Sequence, residues 1–541
     1  MGLFTIAAEK IGSNFSTPLG LLIFISGVSV PLVWLIADYV RILRLRQRMP
    51  PGPFPLPLFG NFFDIPNEKP WIKWEQMAKE YDNPMLTLWN GRRPIIVCND
   101  IWTISDLLDK RASIYSSRPR FVVMGDMMNM TETNQVNQLY GDRWRLHRRL
   151  THGIVGSQAV RAHRHLQLNE SKVLTRDLME SPETFEPSIE RYSCSVVSII
   201  GWGRRIAKIN DPVGQVALSF MEAVDYVIPG LYIMEAVPFL SKLPAWIYPL
   251  PSQILTGAKI FQRYFAALSR EASQAGEDNF SKQLMAAQEM DGLTDDDVAS
   301  LTANLIGGGV DTTSSSILSF ILAMCVFPEA QRKAQEEIEA VVGSQRTPTW
   351  DDEDHLPFVK AVVSETLRWR TVTILGGIPH APTQDDEYNG YFIPKGTAIT
   401  GNLWAIHRNP RDFPDPDAFR PERFLGGLER PYPNKKGHNA FGWGRRQCSG
   451  QPLAEQGLFI TIARLLWAFS IKPGLDEQGN EVKLDIFAYT KSENMRPQPF
   501  KAQFIPRTPD IAEILRSEAD TALEELSVFD GETKITMASV M

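Results

Sequence analysis

The strongest constraint on this chain is a glycine-rich stretch, F-G-W-G-R-R-Q-C-S-G, at residues 441–450. Its cysteine, Cys448, stands directly before a run of apolar residues at helical spacing that begins with Leu453. The amides of a glycine-rich loop, the positive end of a helix and two neighbouring arginines all favour a thiolate over a thiol. The stretch therefore predicts a metal ligand at Cys448, and a buried cysteine beneath a surface loop is the alternative.

Length and composition predict one large folded body. The chain has 541 residues, of which 22% are charged and 43% hydrophobic, so it has ample apolar material for a core. Residues 60–507 show no repeat or linker, and their long helical patterns indicate a single, mainly helical domain. The net charge of -7 argues against a nucleic-acid partner. The four cysteines are widely spaced without a C-x-x-C pair, which argues against a disulfide framework or a zinc site.

The N-terminal region has the composition of a membrane anchor. No charged residue occurs between Lys10 and Asp38, and the apolar run at residues 19–37 is long enough to cross a bilayer as a helix. Arginines follow this run within residues 41–48, so the positive-inside rule places the body of the protein in the cytosol. A cleaved secretory signal is the alternative, but no small-residue cleavage site follows the run. The proline-rich residues 50–57 predict a stiff extended spacer after the anchor.

A second group of polar residues lies inside a long apolar stretch, residues 301–327, whose only charge is Asp311. The several serines and threonines of this stretch make it too polar for lipid, which predicts a buried core helix. Glycines 307–309 weaken a helix, so they predict a place where it opens or where another group approaches closely. Beside them, Asp311 and Thr312 predict a proton relay. The alternative is a buried aspartate with a local partner and a threonine bonded back to its own helix.

These motifs together resemble the cytochrome P450 family. The cysteine stretch matches the family pattern F-x-x-G-x-R-x-C-x-G, and residues 308–313 resemble its A-G-x-D/E-T-T pattern with Gly308 in place of alanine. The resemblance implies heme b as cofactor, with Cys448 as the axial thiolate and iron ligand. It also implies that Phe441 packs beside the thiolate and that Arg446 reaches a heme propionate.

Two further motifs gain roles from the same resemblance. Glu365 and Arg368 are spaced i, i+3 on one helix face, and with Arg423 they resemble the buried charge triad that supports the cysteine loop in the family. Trp144 and Arg148 resemble the W-x-x-x-R pair that binds heme propionates, although a solvated basic helix face is the alternative.

Other expectations concern the edges of the site. His380 stands where the family often has another propionate donor, and a purely structural histidine is the alternative. A basic patch is expected on the proximal face as a docking site for an acidic flavin-domain electron donor. Its members are Arg143, Arg145, Arg149, Lys435, Lys436 and Arg445.

The resemblance outlines the substrate pocket only coarsely. The resemblance implies that the pocket is lined by residues 121–130, 228–250 and 372–378 and by Phe487. Most of these residues are apolar, which suits a hydrophobic organic substrate. Ordinary core packing explains each of them equally well. The apolar members are Met124, Met127, Met128, Ile233, Val372, Ile374 and Leu375. Residues 231–251 are also expected to dip into the bilayer.

We therefore expect a mainly α chain with a small β region in the cytochrome P450 fold, preceded by one N-terminal transmembrane helix. Residues 1–48 are expected to form the anchor and its basic flank, and residues 49–507 the heme-thiolate catalytic domain. Residues 508–541 are expected to form an acidic extension with a docked or solvated helix, and a partner-binding tail is the alternative.

The expected activity is insertion of one oxygen atom from O₂ into a hydrophobic substrate. The enzyme is expected to be a single-pass protein of the endoplasmic reticulum membrane. Electrons are expected from NADPH through a separate cytochrome P450 reductase. Residues 376–410 resemble filamentous-fungal P450s of secondary metabolism, the O-methylsterigmatocystin oxidoreductase-like group, which implies a tailoring oxidation. A P450-fold isomerase or dehydratase, a xenobiotic-detoxifying P450 and a non-catalytic heme sensor are the alternatives.

Overall fold

Helices form most of the chain in the computed structural model, which describes residues 18–66, 68–225, 232–426, 428 and 431–541. The longer helices are α1 (Pro18–Arg46), α2 (Pro70–Glu80), α3 (Asp142–Val155), α4 (Arg164–Glu180), α5 (Phe185–Trp202), α6 (Pro212–Asp225), α7 (Leu250–Ser273), α8 (Phe280–Asp291), α9 (Asp295–Val326), α10 (Pro328–Val341), α11 (Pro357–Trp369), α12 (Gln451–Ala468) and α13 (Ile511–Leu526). Short helices occur at Ile101–Ser105, Ala112–Tyr115, Met130–Thr133, Ile233–Ala236, Leu403–Ile406 and Met537–Val540. The prediction of a mainly helical chain with a small β region is confirmed.

The β region consists of short strands that pair in three separate places. Strand β1 (Met85–Asn90) runs antiparallel to β2 (Arg93–Cys98), and β2 runs parallel to β5 (Ala398–Gly401). Strands β3 (Asp386–Tyr388) and β4 (Tyr391–Ile393) form a hairpin, and β6 (Phe469–Pro473) pairs with β7 (Ala502–Pro506). The β2–β5 pairing brings the region around Gly401 next to the N-terminal third of the chain.

Helix α9 is the central helix of the fold and packs along α5, α7 and α12. Its start is fixed by a capping box, in which Thr294 and Asp297 each accept a hydrogen bond from the backbone of the other. By length and composition, α9 is the one helix in the described part of the chain that is apolar enough to cross a membrane. However, 72% of its most apolar window is buried inside the protein, as the sequence predicted for a core helix.

The N-terminal helix α1 has two differing halves. Apolar side chains from the first half of its described part are exposed, including Val30, Val33 and Ile36 at 55–64%. Its C-terminal half contacts the domain, where Asp38 pairs with Arg92. The earlier residues 1–17, including Lys10, and the side chains of residues 18–26 lie outside the described part, so the expected membrane span remains a prediction.

The stretch after α1 is docked, contrary to the expectation of a spacer at residues 50–57. The Pro51 carbonyl accepts a hydrogen bond from the Thr87 amide of β1 at 2.9 Å. A Cβ on Gly52 would lie 1.9 Å from the Thr87 carbonyl oxygen, so the two backbones touch. The proline-rich composition gives an extended backbone, and an extended backbone that meets a sheet edge packs against it.

The C-terminal residues extend the fold beyond β7. Helix α13 packs against α4 and buries Ile511, Leu515 and Leu526. The chain then crosses to α7, where the short helix Met537–Val540 contacts the last two-thirds of that helix. Of the two predicted arrangements, a docked helix and a solvated helix, the structure therefore matches the docked helix.

Candidate active site

The cysteine loop, residues 441–450, is shaped by glycine and closed by a backbone hydrogen bond. Gly444 has a φ of 55°, and a Cβ on it would lie 2.2 Å from the Leu108 carbonyl oxygen. The Cys448 amide donates to the Phe441 carbonyl at 2.9 Å, which closes the loop. Helix α12 starts immediately after Gly450, so Cys448 lies just ahead of a helix N-terminus, as the sequence predicted.

Trp443 anchors the cysteine loop to two distant segments. Its side chain is 2% exposed and packs against two glycines, Gly376 and Gly401. A Cβ on either glycine would come within 2.3 Å of the indole ring. Sequence reasoning missed this contact, because the three residues are far apart along the chain and only the Gly376–Gly377 pair hinted at close packing.

A cavity of about 870 Å³ lies above the loop, and Cys448 is exposed to it. The surrounding protein shields this side chain from bulk water, and that burial raises the pKa of the Cys448 thiol. The amides of Gly450 and Gln451 and the charge of Arg148 act in the opposite direction and favour the thiolate. Sequence reasoning identified the amides but expected the charge to come from the two arginines beside Cys448, and it missed the burial that opposes these groups.

The cavity wall is largely apolar, as expected for a hydrophobic substrate. Its apolar members include Met124, Met127, Met128, Phe220, Phe261, Val372 and Ile378. Four expected residues lie elsewhere among the described residues: Ile233, Ile374, Leu375 and Phe487. The Phe487 ring instead packs under the guanidinium groups of Arg370 and Arg408, at 5.1 and 5.6 Å. Residues 228–231 of the expected pocket lie outside the described part of the chain.

Three guanidinium groups, those of Arg118, Arg148 and Arg446, line one side of the cavity. Burial and the charge of Arg148 lower the pKa of Arg446 to about 9. Burial and the charge of Arg446 likewise lower the pKa of Arg118. Within the described residues none of the three pairs with a carboxylate. A cluster of buried, mutually repelling cations fits a bound dianion such as the two propionates of heme.

The partners of Arg446 and Trp144 explain how this cluster is built. Arg446 donates to the backbone carbonyls of Ser116 at 2.7 Å and Gln135 at 3.2 Å, and its guanidinium carbon lies 4.5 Å from the centre of the Trp144 ring. Arg118 was missed by sequence reasoning, although it likewise donates to backbone carbonyls, including that of Val136 at 2.8 Å. No motif identifies a lone arginine of this kind.

His380 lies beside the guanidinium cluster but behind the described cavity wall. Its Nδ1 is 2.9 Å from the Tyr115 carbonyl oxygen, and its side chain is buried. Burial and the charges of Arg118 and Arg446 hold the pKa of His380 well below its usual value. This arrangement matches the structural alternative more closely than a direct propionate contact.

Helix α9 is unbroken across its three glycines, so of the two predicted arrangements the structure shows the close approach of another group and not an opened helix. A Cβ on Gly309 would meet Val197 of α5 at 2.2 Å, and one on Gly307 would meet Met221 at 2.7 Å. Gly308 faces the cavity, and a Cβ there would have no atom within 4 Å. The outer two glycines therefore permit close helix packing, whereas the middle one leaves the cavity open.

Asp311 and Thr312 face different environments, because neighbouring residues of a helix point in different directions. Thr312 lines the cavity, and its hydroxyl donates to the Gly308 carbonyl at 2.6 Å. Asp311 lies behind the described cavity wall, where its carboxylate accepts a hydrogen bond from Ser315 at 3.4 Å. Burial raises the pKa of Asp311, and the charge of Arg496 opposes that rise.

Glu365, Arg368 and Arg423 come together in the core, as the resemblance implied. The Arg368 guanidinium donates to both carboxylate oxygens of Glu365, at 2.6 and 2.8 Å, and neither side chain is exposed. Arg423 donates to the same carboxylate at 3.4 Å. Arg368 also donates to the His407 and Pro416 carbonyls at 2.9 and 3.0 Å, so the group ties α11 to the chain that precedes the cysteine loop.

The expected basic patch is largely neutralised. Arg143 pairs with Asp297 at 2.7 Å and Arg149 with Asp291 at 3.0 Å. Arg145 pairs with Asp142, and Lys436 pairs with Glu455. Sequence reasoning counted the cations of this surface and could not see the carboxylates that the fold brings beside them.

Comparisons with known proteins agree with this geometry. The sequence-family model described as Cytochrome P450 matches residues 50–495. Cytochrome P450 monooxygenase 58 of Postia placenta is 34% identical over 486 residues, which cover 88% of this chain and 92% of that protein. Cytochrome P450 monooxygenase claR of Ampulloclitocybe clavipes is 33% identical over 538 residues, or 96% of each chain. Tryptamine 4-monooxygenase of Psilocybe cyanescens is 33% identical over 493 residues, which cover 87% of this chain and 96% of that protein.

Proposed function

The chain belongs to the cytochrome P450 family, and we propose that it is a heme-thiolate monooxygenase that carries out a tailoring oxidation in fungal secondary metabolism. One observation carries the proposal: Cys448 opens into a largely apolar cavity that Thr312 also lines. A thiolate ligand, an apolar substrate chamber and a hydroxyl are the parts that such an oxidation needs.

Different residues around the cavity hold different parts of the cofactor. Heme, when bound, supplies an iron that activates O₂ with two externally supplied electrons. Cys448 is the iron ligand, and Phe441 packs beside it in the same loop. Trp144, Arg148 and Arg446 hold the propionates, with Arg118 as a further partner. The triad of Glu365, Arg368 and Arg423 supports the loop from behind and touches neither heme nor substrate.

Protons reach the cavity along α9. The Thr312 hydroxyl would hold a water molecule in the cavity as a proton donor, since the open face at Gly308 leaves room for one. Asp311 lies on the far side of the same turn, near the ion pair of Arg496 and Glu190, which are 2.6 Å apart. Because its pKa is raised, Asp311 takes up a proton more readily than an exposed carboxylate does.

The enzyme is anchored to the endoplasmic reticulum by one N-terminal helix, with its catalytic domain in the cytosol. The exposed apolar side chains of α1 support this placement, as do Phe239, Trp246 and Ile247, which are 50–84% exposed near the start of α7. Residues 1–48 form the anchor, residues 49–507 the catalytic domain and residues 508–541 the extension. Electrons come from NADPH through a membrane-bound cytochrome P450 reductase.

Loss of the thiolate tests the heme assignment. Cys448→Ser is expected to abolish the red-shifted Soret band of the reduced CO complex, because that band requires a thiolate ligand. Cys325→Ala is the matched control, since Cys325 is buried in α9 and should leave the band unchanged. A red-shifted band in Cys448→Ser would overturn the assignment.

Metabolite profiles test the biological role. We expect a strain that lacks the gene to accumulate a precursor one oxygen atom lighter than the product that disappears. An unchanged profile, together with oxidation of added foreign compounds, would favour detoxification. Turnover of a substrate without NADPH would favour an isomerase or dehydratase, a reading that Thr312 in the cavity wall argues against.

A further inference from the structure

Helix α9 presents a row of small and polar residues to the cavity at regular intervals. They recur at every fourth position, so each lies beside the next, and the row winds gradually around the helix. They are Asp296, Ser300, Asn304, Gly308, Thr312 and Ser316. At about 1.5 Å per residue the row is roughly 30 Å long, so the cavity follows the helix for much of its length.

Asn304 forms a carboxamide pair across the cavity wall with Asn134. The Asn134 side-chain amide donates to the Asn304 oxygen at 3.1 Å, and the reverse contact is 3.4 Å. Asn134 is 6% exposed, and its oxygen also accepts the Val136 amide at 3.0 Å, so its orientation is fixed. Each carboxamide has two N–H groups and this pair uses only one of each, which leaves a donor on both residues and acceptor capacity on Asn304.

The neighbourhood of this pair favours a neutral ligand group. The cavity that contains the pair has a largely apolar wall, with Met128, Met130 and Phe220 among its members. Asp296, the acidic residue of the row, is exposed two helical turns closer to the protein surface. Uncharged amides in an apolar wall bind a hydroxyl, carbonyl or amide well but do not compensate a desolvated charge.

We propose that the substrate is an elongated apolar molecule with a neutral hydrogen-bonding group at one end, bound between Asn134 and Asn304. This rests on the proposed monooxygenase function. Asn304 precedes Thr312 by eight residues, so the bound group lies about 12 Å along α9 from the level of Thr312. Oxidation therefore takes place on a carbon remote from that polar group.

The test compares two size-matched probes, dodecan-1-ol and 1-chlorododecane, on the purified full-length heme protein. Binding is followed by the heme absorbance change that accompanies ligand entry. The alcohol is expected to bind about tenfold more tightly, because only it satisfies the free amide groups. Asn304→Leu should remove this preference, and Asn134→Leu should do the same from the other side of the pair. Ser300→Ala, one turn away in the same row, should retain it.

Two results would overturn the proposal: equal affinities of the alcohol and the chloride for the unmodified protein, or an undiminished preference in either leucine variant. The reduced CO spectrum is recorded for every sample. A wild-type protein without the red-shifted band would refute the monooxygenase assignment itself, whereas a normal band with no alcohol preference would refute only the substrate class. If Asn304→Leu does not incorporate heme, Asn134→Leu decides the question.

Discussion

Glycines 308 and 309 are adjacent and chemically identical, yet they perform different tasks. Gly308 faces open cavity space, while Gly309 touches Val197. Because glycine lowers helix stability by about 1 kcal/mol relative to alanine, the two positions differ in what an added methyl group does.

We expect Gly308→Ala to raise the free energy of unfolding by up to about 1 kcal/mol, since it restores helix propensity without a clash. Gly309→Ala should instead lower it by about 1–3 kcal/mol, because its Cβ would overlap Val197. Urea unfolding followed by heme absorbance measures both values. Equal effects of the two substitutions would contradict the packing described at these positions.

Arg368 is the single residue on which the core beneath the cysteine loop depends most. We expect Arg368→Ala to lose heme and fold together, because it leaves the buried Glu365 carboxylate without its bidentate partner at a cost of about 3–5 kcal/mol. The yield of soluble protein with a normal reduced CO spectrum is the measurement. Arg332→Ala, which removes an exposed arginine with its own carboxylate partners, is the control and should leave that yield unchanged. Recovery of intact heme protein from Arg368→Ala would refute this prediction.

At the scale of elements, Asp297 joins helix α3 to the start of α9. It accepts hydrogen bonds from Arg143 at 2.7 and 2.8 Å and lies 3.2 Å from Nε2 of the buried His147. Burial alone would raise the pKa of Asp297, but the nearby His147 and the hydrogen bonds from Thr294 lower it to about 2.

A carboxylate whose pKa falls on folding stabilises the protein above its unfolded pKa of about 4 and loses that contribution as the pH drops toward 2. We therefore expect Asp297→Asn to be less stable than wild type by about 2 kcal/mol near pH 6, and the difference to shrink below pH 4. Denaturant unfolding at several pH values measures it. Asp142→Asn serves as the control, since that side chain is almost fully exposed. A difference that does not depend on pH would argue against this ionic link.

Some features of these elements could be predicted from the sequence, and others could not. The cysteine loop, the Glu365–Arg368 pair and the core character of α9 were predictable, because each depends on residues within a few turns of one another. Arg118, the Trp443 contacts and the pairing of Arg143 and Arg149 were not, because these residues have partners that lie far along the chain. Asp311 and Thr312 formed one motif in sequence, and the geometry of a helix separates them into two environments.

At the scale of the whole molecule, the acidic C-terminal extension is part of the catalytic domain's core. Arg464 of α12 is 1% exposed, and its carboxylate partner is Glu518 of α13, at 2.7 Å. Thr347 bridges the two, because its hydroxyl contacts both side chains. The helix that starts at the cysteine loop thus has a buried charge that the extension balances.

We expect Glu518→Gln to lower the free energy of unfolding by about 3 kcal/mol, because it leaves the Arg464 charge buried without a counterion. Glu524→Gln, on the exposed face of the same helix, should change it by less than about 0.5 kcal/mol. Chemical unfolding of the full-length heme protein compares the two. Similar effects of both substitutions would show that α13 adheres through its apolar face alone.

The end of the chain lies against α7, one of the walls of the cavity. Arg263 of α7 donates to the carbonyls of Val540 and Met541, and Ile535 and Met537 pack against the same cluster. For protein engineering this makes the C terminus an unsuitable attachment point. An affinity tag or fused protein joined directly to Met541 would pull on this wall of the cavity, so a flexible linker is needed to leave the Arg263 contacts in place.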